Sequence, residues 1–74
     1  MYIIKNNLPK AKQHLTECET RDDALKRFWG TYSRLKKRFP TSISLRNEFG
    51  SSARGTIKVE IDGFYYYVEL YKNE

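Results

Sequence analysis

Cys18 and His14 are the only thiol and the only imidazole in the 74-residue sequence, the side chains whose ordinary pKa values lie nearest neutral pH for nucleophilic or general-base chemistry. They lie four residues apart, which on a helix would put them on one face. Such a pair also needs an electropositive pocket for the thiolate, an acid to orient the imidazole and an oxyanion hole. The surrounding residues offer none of these, so Cys18 is expected as small buried filler and the chain is expected to be non-enzymatic. One cysteine and one histidine also fall short of a zinc ligand set, and the nine acidic residues are scattered among basic ones. No metal and no cofactor is expected, and with a single cysteine no internal disulfide can form.

Three stretches have the chemistry of binding rather than catalysis. The first is "NEFGSSARG", Asn47 to Gly55, whose glycines, serines and Arg54 could cradle an anion in a backbone nest. It lacks the spacing and the lysine of a phosphate-binding loop, and reads better as a turn-rich connector. The second is a basic stripe of Lys26, Arg27, Arg34, Lys37 and Arg38, opposite Phe28 and Trp29 on a helical projection. Gly30 sits inside that stripe, although glycine costs a helix about 1 kcal/mol relative to alanine. Close approach of a partner's backbone would explain it. The third is "IDGFYYYVELY", Ile61 to Tyr71, in which a strand can bury only alternate rings.

These residues need elements to position them. Leu25, Phe28, Trp29, Tyr32, Leu35 and Phe39 recur at helical spacing and predict a helix from Arg21 to Phe39. Thr20 is the expected N-cap, Asp22 and Asp23 occupy the first turn, Lys36, Lys37 and Arg38 the last, and Pro40 stops the helix. The second half alternates at period two and predicts strands over Thr41 to Phe49, Thr56 to Asp62 and Phe64 to Lys72. Asp62-Gly63 is the signature of a two-residue type I′ turn, which sets Ile61 opposite Phe64, Val59 opposite Tyr66 and Ile57 opposite Val68. Phe64, Tyr66, Val68 and Leu70 then join the core, while Tyr65, Tyr67 and Tyr71 turn outward. In the first nineteen residues a short helix through Leu8, Ala11, Leu15 and Cys18, opened by Pro9, is preferred to a strand over His14 to Glu19. Tyr2 to Ile4 reads as a short strand or an apolar plug.

The expected architecture is α+β, a single domain over 1–74. One main amphipathic helix, plus a short N-terminal helix or strand, packs on a three-stranded antiparallel sheet. The expected core is Leu25, Phe28, Trp29, Tyr32, Leu35, Ile43, Leu45, Ile57, Val59, Ile61, Phe64, Tyr66, Val68 and Leu70. No stretch is apolar for long enough to cross a membrane or to serve as a secretory signal, so a cytoplasmic setting is expected. The formal charge of +5 favours an acidic partner. The leading expectation is a small effector or inhibitor that docks on a larger protein through Tyr65, Tyr67 and Tyr71, with Lys58 and Arg46 at the rim. The alternative is a DNA- or RNA-binding module using Lys26, Arg27, Arg34, Lys37, Arg38 and Arg54. A strand edge or the tyrosine face also leaves room for a homodimer.

Overall fold

The computed structural model describes residues 1–48 and 54–73. In chain order these form β1 (Tyr2–Asn6), β2 (Leu15–Cys18), α1 (Arg21–Arg38), β3 (Ile43–Glu48), β4 (Arg54–Ile61) and β5 (Phe64–Lys72). The strands make one antiparallel sheet in the order β2-β1-β5-β4-β3, and α1 lies across one of its faces, nearest to β1 and β2. The α+β class therefore holds, but the sheet has five strands, not three.

Helix α1 begins and ends where its caps require. Thr20 is extended (φ −112°, ψ 152°) and its hydroxyl accepts the Asp23 amide at 3.2 Å, satisfying one of the orphan donors of the first turn. At the other end the Phe39 N–H donates to the Leu35 carbonyl at 2.8 Å, and Pro40 follows. Ala24 and Phe28 are fully buried at the middle of the apolar stripe, with Leu25, Tyr32 and Leu35 half-buried on either side. Trp29 was expected in the core but is 39% exposed. One residue on from Phe28 it is turned about 100° round the helix, so it lies on the flank and packs edge-on against Phe28 and Tyr32.

The β4–β5 hairpin is pinned by its turn. Asp62 and Gly63 both take positive φ, 53° and 83°, as a type I′ turn demands, and the register Ile61–Phe64, Val59–Tyr66, Ile57–Val68 follows. Ile57, Val59, Val68 and Leu70 are sealed beneath α1 together with Ile4 and Cys18. Phe64, expected in the core, is 66% exposed. It points to the correct face, but the hairpin tip reaches the end of α1, where a hollow of about 700 Å3 opens between Leu35, Phe39, Ile61 and Phe64.

The preferred N-terminal helix is overturned, whereas the strand weighed against it, and the short strand at Tyr2 to Ile4, are formed. Residues Leu15–Cys18 form a strand, not a helix, and pair with β1 in the register Tyr2–Cys18, Ile4–Thr16. One residue, Asn6, sets this hairpin through its side chain and its backbone. The Asn6 carboxamide donates to the Gln13 carbonyl at 3.2 Å and accepts the Leu8 amide at 3.1 Å, while the Asn6 N–H donates to the His14 carbonyl at 2.9 Å. Strand β1 then docks along β5, with Ile4 opposite Leu70, so β5 is the central strand of the sheet. Just beyond β1, the Asn7 side-chain oxygen accepts the Tyr67 amide at 2.8 Å, continuing the ladder by a side chain. The strand boundaries expected at Thr41, Thr56 and Asp62 shift to Ile43, Arg54 and Ile61, and Phe49 lies outside the described residues.

Candidate functional site

The alternation of β5 sends Tyr65, Tyr67, Glu69 and Tyr71 to the face opposite α1. On neighbouring strands the same parity adds Lys58, Glu60, Thr56 and Arg54 from β4, Arg46 and Ser44 from β3, and Ile3 and Lys5 from β1. All five residues expected at a protein-binding surface, Tyr65, Tyr67, Tyr71, Lys58 and Arg46, therefore share this face. Among the described residues no element crosses it. Tyr65 and Tyr67 are 55% and 39% exposed, and Tyr71 is half-buried against Ile3, its cross-strand neighbour. Tyr65 and Tyr71 are six residues apart on one strand, so the aromatic row is about 20 Å long.

Local contacts hold the row in place. The Lys58 ammonium sits 4.3 Å above the Tyr65 ring, a cation–π contact, while Lys58 itself stands opposite Tyr67 across the ladder. Shallow hollows lie on both sides of the rings: one of about 200 Å3 between Lys5, Asn7 and Tyr67, and another of about 250 Å3 between Ser42, Ser44 and Tyr65. Ridges of rigid rings beside hollows suit a partner that can insert its own side chains. Lys5, Arg46, Arg54 and Lys58 are mixed with Glu17, Glu60 and Glu69, so the face is aromatic with alternating charge.

The six basic residues expected to contact nucleic acid are not brought together. Arg54 lies on the tyrosine face, on the far side of the sheet from α1. Arg38 rests over the Phe39 ring at 5.4 Å, at the C-terminal end of the helix, and Lys37 is exposed. Lys26, Arg27 and Arg34 do converge, on a groove of about 550 Å3 between α1 and the β1–β2 hairpin, floored by Ile4, Leu8 and Val68. Arg27 bonds Asp23 at 3.2 Å across one helical turn, and this pair is too exposed to contribute more than a few tenths of a kcal/mol. Gly30 borders the same groove. A methyl built there would meet only the Arg34 guanidinium, at 3.7 Å, an ordinary contact. Packing within the chain therefore gives no reason for glycine at this position.

His14 and Cys18 do not share a helix face, since Cys18 lies in a strand. The His14 ring is exposed and its Nδ1 lies 3.1 Å from Asn6 Oδ1, whereas Cys18 is 1% exposed in the core. Burial pushes the Cys18 thiol up, and the nearby Asp23 carboxylate adds to the effect. That is the opposite of thiolate activation. The expected anion loop falls largely on residues 49–53, outside the described residues. Among the described residues there is no metal-ligand cluster and no helix long and apolar enough to cross a membrane.

Sequence reasoning put Ile3 in a short strand or plug without assigning it to this face, and missed the asparagine pair Asn6-Asn7. Comparison with protein-family models, with curated proteins and with solved structures finds no match, so the candidate sites stand on their geometry alone.

Proposed function

We propose that this protein is a non-enzymatic protein-binding effector that presses its tyrosine face against a larger intracellular protein and occludes part of its surface. The observation behind this reading is the row Tyr65, Tyr67 and Tyr71 on the central strand, exposed or half-exposed on an uncovered sheet face. Tyrosine brings a large rigid contact area at low entropic cost. The surplus of positive charge would speed encounter with an acidic surface, while the interleaved glutamates fix orientation. The combined variant Tyr65→Ala, Tyr67→Ala tests it. Proteins captured from native lysate by the wild-type chain should be lost by this variant, whose circular dichroism and unfolding midpoint should stay close to wild type. Undiminished capture by the folded variant would overturn the reading.

Gly30 favours a second reading, in which the groove at Lys26, Arg27 and Arg34 takes the phosphate backbone of a nucleic acid. Gly30→Ala should then weaken oligonucleotide binding measured by fluorescence anisotropy, and wild-type affinity should fall steeply with added salt. Binding unaffected by the methyl would remove the groove from consideration.

A further inference from the structure

The two edges of the sheet differ. β2 offers only four residues, Leu15–Cys18, with Glu17 and Glu19 beside the edge. β3 offers six, Ile43–Glu48, and from Ile43 to Asn47 it contains no proline and no bulge, with Arg46 its single charged residue, so it has few of the usual devices that blunt an edge. Its hydrogen-bonding parity can be worked out. The Glu60 N–H donates to the Ser42 carbonyl at 2.9 Å, so Ser42–Glu60 is a bonded pair. In an antiparallel ladder bonded and non-bonded pairs alternate, so Ser44–Lys58 and Arg46–Thr56 are bonded as well. Ile43, Leu45 and Asn47 therefore turn their amides and carbonyls away from β4, towards an edge that no strand among the described residues pairs with.

We propose that β3 pairs antiparallel with β3 of a second copy of this chain about a two-fold axis, joining two five-stranded sheets into one of ten strands. The outward residues are self-complementary in two registers. With the axis at Leu45, Leu45 meets Leu45 of the second copy and Ile43 meets Asn47. With the axis at Ser44, Ile43 meets Leu45 twice. In both registers Arg46 faces a serine, Ser44 or Ser42, so no like charges stand opposite one another. The helix leaves this side of the sheet less covered, being nearest to β1 and β2, and Ile43 and Leu45 are only half-buried. The second copy supplies the apolar neighbours they lack. Pairing of this kind is isologous and closes as a dimer. It also keeps both helices on one side and both tyrosine rows on the other. Each copy carries a formal charge of +5, so the copies repel and the dimer tightens as salt is added.

Sedimentation equilibrium of the full chain, with hydrogen exchange of backbone amides, tests the proposal. The expected result is reversible dimerisation that strengthens with salt, with the Ile43, Leu45 and Asn47 amides gaining protection as concentration rises. Asn47→Pro removes an outward donor from each copy without breaking a bond to β4, and should weaken the dimer roughly tenfold or more. Leu45→Lys, which charges the apolar side of the same seam, should act in the same direction. A wild-type chain that stays monomeric at all concentrations would overturn the proposal. So would a dimer that leaves those amides unprotected and is indifferent to both substitutions, because its seam would lie elsewhere.

Discussion

The two sides of β5 carry large apolar or aromatic side chains to opposite fates. Val68 and Leu70 are 0% and 1% exposed beneath the helix, whereas Tyr65 and Tyr67, their neighbours along the same strand, are 55% and 39% exposed. An antiparallel sheet needs only one covered face to be stable, and here a single helix covers one. The consequence is a separation of duties: residues facing α1 hold most of the fold, while the exposed residues facing away, unlike the buried Ile3 beside Tyr71, can be changed with little effect on it. In so small a domain this matters, because its core can supply only a few kcal/mol of net stability.

The sharpest way to break that contrast is to substitute one residue of each kind. Phe28→Ala removes a fully buried ring and should destabilise by about 3–5 kcal/mol, enough to leave the chain largely unfolded in a urea titration followed by circular dichroism. If Tyr65→Ala had a comparable effect, the tyrosine face would be part of the core after all.

Smaller effects come from the two glycines, and they should have opposite signs. Gly63 is held at φ 83° in the hairpin turn, where an alanine is strained; Gly63→Ala should cost about 1 kcal/mol or more in the same titration. Gly30 has ordinary helical geometry and room for a methyl, so Gly30→Ala should stabilise by about 1 kcal/mol. A protein made more stable but poorer at binding oligonucleotides would locate function at the groove. The smallest effect is expected at Lys58, whose contact with the Tyr65 ring is exposed: Lys58→Ala should cost about 0.5 kcal/mol while still slowing association with an acidic partner.

What could be read in the sequence was whatever local chemistry decides. Thr20, the acidic first turn and Pro40 set the helix within a residue or so, and Asp62-Gly63 set the hairpin register and hence which tyrosines turn outward. What could be read only as one of two alternatives depends on partners far away in the chain. Tyr2–Asn6 is a strand because β5, more than sixty residues on at its closing end, offers it an edge, as in the pairing of Tyr2 with Lys72. Leu15–Cys18 is a strand because β1 offers the next, overriding a pattern that also fits a helix. Trp29 and Phe64 were misplaced for a third reason. Periodicity gives the stripe or face a residue belongs to but not how far the opposing layer reaches: Trp29 sits on the flank of α1, at the margin of the stripe that meets the sheet, and α1 is too short to cover Phe64. Of the basic set, Arg54 went to the wrong surface because its strand begins before Thr56, which adds it to the alternation of the tyrosine face.

The strand at the middle of the sheet is the last of the five along the chain. During synthesis the β1–β2 and β3–β4 hairpins emerge with no common neighbour, each exposing apolar side chains that only β5 can bridge. Assembly therefore waits on one late segment and then closes contacts of large sequence separation together, which makes for slow, all-or-none folding. A ribosome stalled anywhere before Phe64 would hold two unconnected ribbons and a helix, not a partly built protein.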